Sequence, residues 1–317
     1  MKMDVDRTRR IKMKALFITA TLITSLALSS CVFAGDQETS SEENIANAVN
    51  AEQENAQEEV DEYEGLYNVE EMNIDDDGTK IYARVYIPVE EKDTYPTVIM
   101  SHGIGGTYEN CEPYAKQFAA NGVVSVAFDF QGGGPASQSD GEMVDMSTLT
   151  EAQDLECVTD AVKQIDYVDA DNLFLLGESQ GGFVTAYVAG QRPDDYKGIV
   201  LFYPAFVLQD DAWAKFPNGP EEAPEVEEIY GLQVGKQSYI DNMSFDIYDV
   251  IGNYKNDVLI VHGDADPVVP ISYSDRALEV YENAELIPIP GAEHGFRGDD
   301  IKTAGTDALE FVLAHVG

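Results

Sequence analysis

The chain has 317 residues, of which 44% are hydrophobic and 25% charged, and its 59 acidic side chains against 19 basic ones give a formal net charge of −40 at pH 7. That length supports one large α/β domain able to bury a sizeable core. So acidic a surface repels nucleic acid and anionic lipid, disfavours polyanionic substrates, and suits an exported protein kept soluble by its charge.

Residues 1–30 have the form of a targeting segment: Lys2, Arg7, Arg9, Arg10, Lys12 and Lys14 make a basic start, and Ala15 to Leu28 make a short apolar run. The run is too short for a comfortable membrane span. The sequence Leu28-Ser29-Ser30-Cys31 resembles a bacterial lipoprotein cleavage box. That reading makes Cys31 the lipidated first residue of a cell-surface protein whose only hold on the membrane is its anchor. The competing expectation is secretion after ordinary cleavage at Val32-Phe33-Ala34. Residues 31–64 carry eleven acidic side chains and no Lys or Arg. They cannot bury a core and read as a disordered tether.

A folded domain is expected over residues 65–317. Tyr67 to Ile74 and Lys80 to Ile87 read as antiparallel strands joined by the turn Asp75-Asp76-Asp77-Gly78. Buried strands follow at Thr97–Met100, Val123–Asp129, Leu173–Leu176, Gly198–Tyr203, Val258–Val261 and Ala284–Ile289. Helices are expected between them, at 109–121, 150–165, 183–191, 272–283 and 301–315. Strands alternating with helices imply an α/β fold with a mostly parallel, doubly wound sheet. The alternation breaks between Tyr203 and Val258. A structureless loop of that length is improbable inside a compact domain, so residues of about 205–250 read as an inserted cap. Cys111 and Cys157 fall on helices expected on opposite faces of the sheet. Free, buried thiols are therefore expected rather than a disulfide.

The chemistry centres on Gly177-Glu178-Ser179-Gln180-Gly181-Gly182, directly after the apolar strand Leu173–Leu176. Gly-x-Ser-x-Gly between a strand and a helix is the nucleophile-elbow pattern, in which a strained turn pushes the serine hydroxyl clear of the backbone. The chain has only four histidines, so the search for a base is short. His294 lies in a loop after the last strand, and Asp266 lies in His262-Gly263-Asp264-Ala265-Asp266 after the preceding one. All strands of a parallel sheet open on one edge, where sites form. Ser179, Asp266 and His294 stand there in the chain order of an α/β-hydrolase triad. The amides of Gln180 and of Ile104, in the loop His102-Gly103-Ile104-Gly105-Gly106, are the expected oxyanion donors. His102 reads as structural. Chemistry of this kind requires no metal and no organic cofactor.

Residues 67–316 resemble the α/β-hydrolase superfamily, and within it the bacterial cinnamoyl/feruloyl esterases. The features that carry the likeness are His-Gly-x-x-Gly at 102–106, Gly-x-Ser-Gln-Gly-Gly at 177–182, His-Gly-Asp-x-Asp-x-x-Val-Pro at 262–270 and Ile-Pro-Gly-x-x-His at 289–294. The resemblance implies a serine esterase acting on a small-molecule ester, with an aromatic acyl group held beneath a lid. It makes Trp213 and Tyr230 candidates to clamp that group. The sequence departs from many of these esterases at Glu178, where they carry His. Alternative expectations are a serine peptidase of prolyl-oligopeptidase type, an acidic lipase, and a non-catalytic binding protein on a hydrolase scaffold.

Overall fold

The computed structural model describes residues 61–317. Cys31, both candidate cleavage sites and nearly all of the acidic tether lie outside the described residues. The compact unit begins at Asp61, four residues before the expected boundary. Asp61 belongs to it because its carboxylate accepts the Tyr67 hydroxyl proton and lies 3.4 Å from Lys116 Nζ.

Eight strands form one sheet in the order β1-β2-β4-β3-β5-β6-β9-β10. The hairpin β1 (Tyr67–Asp76) and β2 (Thr79–Pro88) starts it. Asp77 and Gly78 alone form its turn, both at positive φ (48° and 96°), the conformation a two-residue hairpin turn demands. β3 (Tyr95–Ser101), β4 (Val124–Phe128), β5 (Val168–Glu178), β6 (Gly198–Phe202), β9 (Asp257–Gly263) and β10 (Ala284–Ile289) pair in parallel. Only β2 runs against its neighbours on both sides.

The central strands are buried on both faces, so each reads as an unbroken apolar run whose residues alternate between two cores. Leu173 and Leu175 point to one core, and Phe174 and Leu176 to the other. The first core is covered by α2 (Thr148–Val162), α3 (Gln180–Gln191), α6 (Ile247–Ile251) and α7 (Ser272–Leu278). The second is covered by α1 (Tyr108–Ala120) and α8 (Asp299–His315). Cys111 and Cys157 are free thiols, each associated with a different core. Cys111 is buried, but Cys157 is only half-buried, because it falls towards the solvent edge of α2.

Between β6 and β9 the chain builds α4 (Leu208–Lys215), the hairpin β7 (Val226–Ile229) and β8 (Leu232–Gly235), and α5 (Lys236–Asn242). These elements share a small core of Ala212, Phe216, Ala223, Tyr239 and Met243. Glu227 on β7 fastens them, pairing with Lys215 of α4 and accepting the Tyr239 hydroxyl of α5. The expected insertion of about 205–250 overreaches at its end, since Ile247 and Ile251 of α6 are fully buried in the main core.

Candidate active site

β5 ends in a tight turn that carries Ser179. Ser179 sits at φ 50°, ψ −116°, a region that ordinary residues occupy only when the surroundings enforce it. The enforcement is visible in the backbone. The Ser179 amide donates to Phe202 O at 3.0 Å, and its carbonyl accepts from Phe183 N at 3.0 Å and Ala205 N at 2.9 Å. The turn is also too tight for side chains beside it. A Cβ on Gly177 would lie 2.3 Å from Gly181 O, and one on Gly181 would lie 2.3 Å from His102 O.

Ser179 Oγ is 2.9 Å from His294 Nε2, and His294 Nδ1 is 2.7 Å from Asp266 Oδ2. A carboxylate only accepts, so Nδ1 carries the proton and Nε2 is free to accept from the serine. Asp266 is itself immobilised: its Oδ1 accepts the amides of Val268 and Val269, both at 2.8 Å. The buried His262 stands 3.3 Å from the same carboxylate while bonding Val269 O at 2.9 Å and Ser274 Oγ at 2.7 Å. The structure thus brings Ser179, His294 and Asp266 into one hydrogen-bonded relay.

Ile104 and Gln180 line the same cavity as Ser179. Neither backbone amide finds a partner among the described residues, so both remain available to a negatively charged oxygen. The Gln180 side chain turns away, donating to Glu151 Oε2 on α2 at 2.9 Å. His102 is fully buried, with Nε2 accepting the Phe130 amide at 3.2 Å and Nδ1 donating to Gly103 O at 2.7 Å. It shapes the loop and does not reach the serine.

The cavity holds about 870 Å³ between the sheet edge and the cap. Its walls are largely apolar, including Val207, Leu208, Ala212, Ile229, Val234 and Val268. Tyr230, at the tip of the β7–β8 hairpin, stands at the rim and is 81% exposed. Trp213 does not line the cavity, which corrects its expected role as a clamp. On α4 the residues at helical spacing, Leu208, Asp211, Ala212 and Lys215, face inward. Trp213 falls off that stripe and points to solvent.

Several groups escaped the sequence reading. Asp211 and Lys215 of the cap and Tyr203 after β6 line the cavity. The Tyr203 ring stands edge-on against His294, centroids 5.0 Å apart. Its hydroxyl donates to Glu178 Oε1 at 2.9 Å. Burial pushes the Glu178 carboxyl up to about 7, and the Tyr203 and Tyr114 hydroxyls pull the other way. Burial likewise pushes Glu151 up to about 8 despite the bond from Gln180, and Asp154 up to about 7 despite the bonds from Gln131.

A mostly parallel sheet, a strained serine at the end of its central strand, and an acid and a histidine after the last two strands define the α/β-hydrolase fold. The comparisons with known proteins agree. A sequence model of the family described as serine aminopeptidase, S33, matches residues 92–227. Est1E of Butyrivibrio proteoclasticus, solved with ferulic acid bound, superposes with a TM-score of 0.71 at 26% identity, covering 77% of this chain and 98% of its own. The bifunctional esterase/perhydrolase DCH of Acinetobacter calcoaceticus is 22% identical over 281 residues, 74% of this chain and 97% of that protein. The monoglyceride lipase of Homo sapiens is 26% identical over 144 residues, 44% of each chain.

Two outcomes follow from this geometry. Gly181→Ala should lower the thermal midpoint sharply, since displacing the strand end costs about 2 kcal/mol or more; a midpoint within a degree of wild type would contradict the close approach. Glu151, Asp154 and Glu178 have folded-state values raised above their unfolded ones. Their stabilising contribution is complete below the ordinary carboxylate range and is lost as pH rises towards 7 to 8. Urea midpoints should therefore fall between about pH 5 and pH 8, and Glu151→Gln should flatten that fall.

Proposed function

We propose that the protein is a carboxylic ester hydrolase that works through an acyl-enzyme on Ser179. The observation that carries the reading is the unbroken relay from Ser179 through His294 to Asp266 at 2.9 and 2.7 Å, opening into the apolar cavity. In the first half-reaction Ser179 Oγ bonds to the ester carbonyl carbon while its proton passes to His294 Nε2. Asp266 holds the imidazole in the required tautomer and stabilises its charged form. The tetrahedral oxyanion is held by the Ile104 and Gln180 amides. The bond to the alcohol then breaks, and the alcohol leaves with the proton from His294. In the second half-reaction His294 takes a proton from water, the hydroxide attacks the acyl carbon, and Ser179 leaves with that proton.

The acyl group is inferred to be aromatic, of hydroxycinnamoyl type. Apolar walls and the rim tyrosine Tyr230 suit a flat ring, and the similar Est1E was solved with ferulic acid. Export as a lipoprotein anchored through Cys31 is proposed on the cleavage box alone.

The wild-type protein should hydrolyse p-nitrophenyl acetate and methyl ferulate, and a fluorophosphonate should label it. Ser179→Ala should abolish labelling and lower kcat by at least about 10⁴-fold. An unlabelled, inactive wild type would overturn the reading, and cleavage of prolyl anilides in place of esters would make it a peptidase. Expressed with its full N-terminus, the protein should incorporate labelled palmitate, and Cys31→Ala should not; incorporation by the variant would overturn the anchor.

A further inference from the structure

The residue preceding the nucleophile is a buried acid with an unusual set of partners. Glu178 is 6% exposed and ends β5. Its Oε1 accepts the Tyr203 hydroxyl at 2.9 Å, and its Oε2 is 3.9 Å from Cys111 Sγ. Tyr114 of α1 acts on it as well, its hydroxyl opposing the upward push of burial. Among the described residues no cation pairs with it. Two neutral donors, a hydroxyl and a thiol, converge on one carboxyl, an arrangement suited to its ionised, acceptor-only form.

Tyr203 is held in a costly conformation. Its φ is 37°, in the left-handed region that a bulky residue avoids. Its amide donates to Val261 O at 2.9 Å. Its ring stands against His294 at 5.0 Å and against Phe296 at 4.7 Å. The hydroxyl is thus bonded on one side to Glu178 while the ring forms a wall beside the imidazole. Nothing in the relay between Ser179, His294 and Asp266 itself explains why the acid is there.

We propose that Glu178 is a positioning residue for His294, acting through the Tyr203 hydroxyl, and that its carboxylate is the competent form. The proposal rests on the ester-hydrolase reading. Ionised, Glu178 accepts from Tyr203 and from the Cys111 thiol, and the Tyr203 ring keeps His294 aimed at Ser179. Protonated, one carboxyl oxygen becomes a donor, an acceptor for these groups is lost, and the wall loosens. The groups facing Glu178 are Tyr114 and Cys111 from α1, Tyr203 after β6 and, across the Tyr203 ring, His294 after β10. Asp129 after β4 bears on the same Cys111 thiol. Burial brings the Glu178 ionisation to about 7, inside the range in which an esterase is assayed.

The test is the pH dependence of p-nitrophenyl acetate hydrolysis by wild type, Glu178→Gln, Tyr203→Phe and the double variant. Wild-type turnover establishes the underlying reading, so failure there is separate from failure of the proposal. In wild type the acidic limb of log(kcat/KM) should be steeper than in Glu178→Gln, because protonation of the Glu178 carboxylate frees the Tyr203 ring. In Glu178→Gln that added steepness should vanish, with kcat at pH 8 down roughly tenfold, as for a misaimed base, and KM within about twofold. Tyr203→Phe should give the same loss, and the double variant should lose no more, since both act through one hydrogen bond. Removing a buried ionisable group should hold or raise the thermal midpoint at pH 8. A merely structural role would lower that midpoint and leave the slope of the limb unchanged. Wild-type kcat and slope in Glu178→Gln, or additive losses in the double variant, would overturn the proposal.

Discussion

The site depends on the strained backbone at Ser179. A left-handed serine at the end of the central strand is unfavourable in isolation. It persists because its amide and carbonyl are both bonded to neighbouring backbone and because the helix that follows passes within van der Waals contact of two strand ends. The same turn places the first helical amide, that of Gln180, beside the hydroxyl. One local constraint thus places side by side the hydroxyl and an amide with no partner among the described residues. The parallel sheet supplies the other parts, since β3, β9 and β10 all open on that edge and deliver Ile104, Asp266 and His294.

The fold was legible in the sequence because its signals are local. Strands buried on both faces are unbroken apolar runs, and the Asp77-Gly78 turn announces the first hairpin. Ser179, Asp266 and His294 were legible for a different reason. Each lies within a few residues of a strand's C-terminal end, and topology alone brings those ends together. The misplacements have equally physical causes. α4 is short and polar, so its helical phase could not be read, and Trp213 was expected inside when it faces solvent. The expected cap end at about residue 250 falls within α6 because no strand of the main sheet lies near it in the chain, although Ile247 and Ile251 bury in the main core. The pairing of Glu178 with Tyr203 joins residues 25 apart in the chain, and no periodicity encodes it.

The cap is held by different forces from the body. Its apolar core is five residues, too few to fix the geometry alone, and the Lys215–Glu227–Tyr239 link supplies the remainder. Glu227 keeps its carboxyl below the usual range through Lys215 and Tyr239. Glu227 is thus paired with a cation near water, whereas Glu151, Asp154 and Glu178 around the elbow are buried among neutral donors.

That contrast bears on why an acid is tolerated next to Ser179. A buried carboxylate satisfied by Lys or Arg has its field cancelled at short range, and its ionisation moves far below neutrality. Hydroxyl and thiol donors satisfy the lone pairs without supplying a positive charge. The desolvation penalty then stays uncompensated, and the ionisation rises to where it responds to ordinary changes of pH. The arrangement is costly to stability and brings no packing that an apolar residue could not supply. In a molecule already carrying a net charge of −40, another buried negative charge makes sense only where its hydrogen bonds do something the fold itself does not need. Of Glu151, Asp154 and Glu178, only Glu178 has a partner whose ring stands against His294.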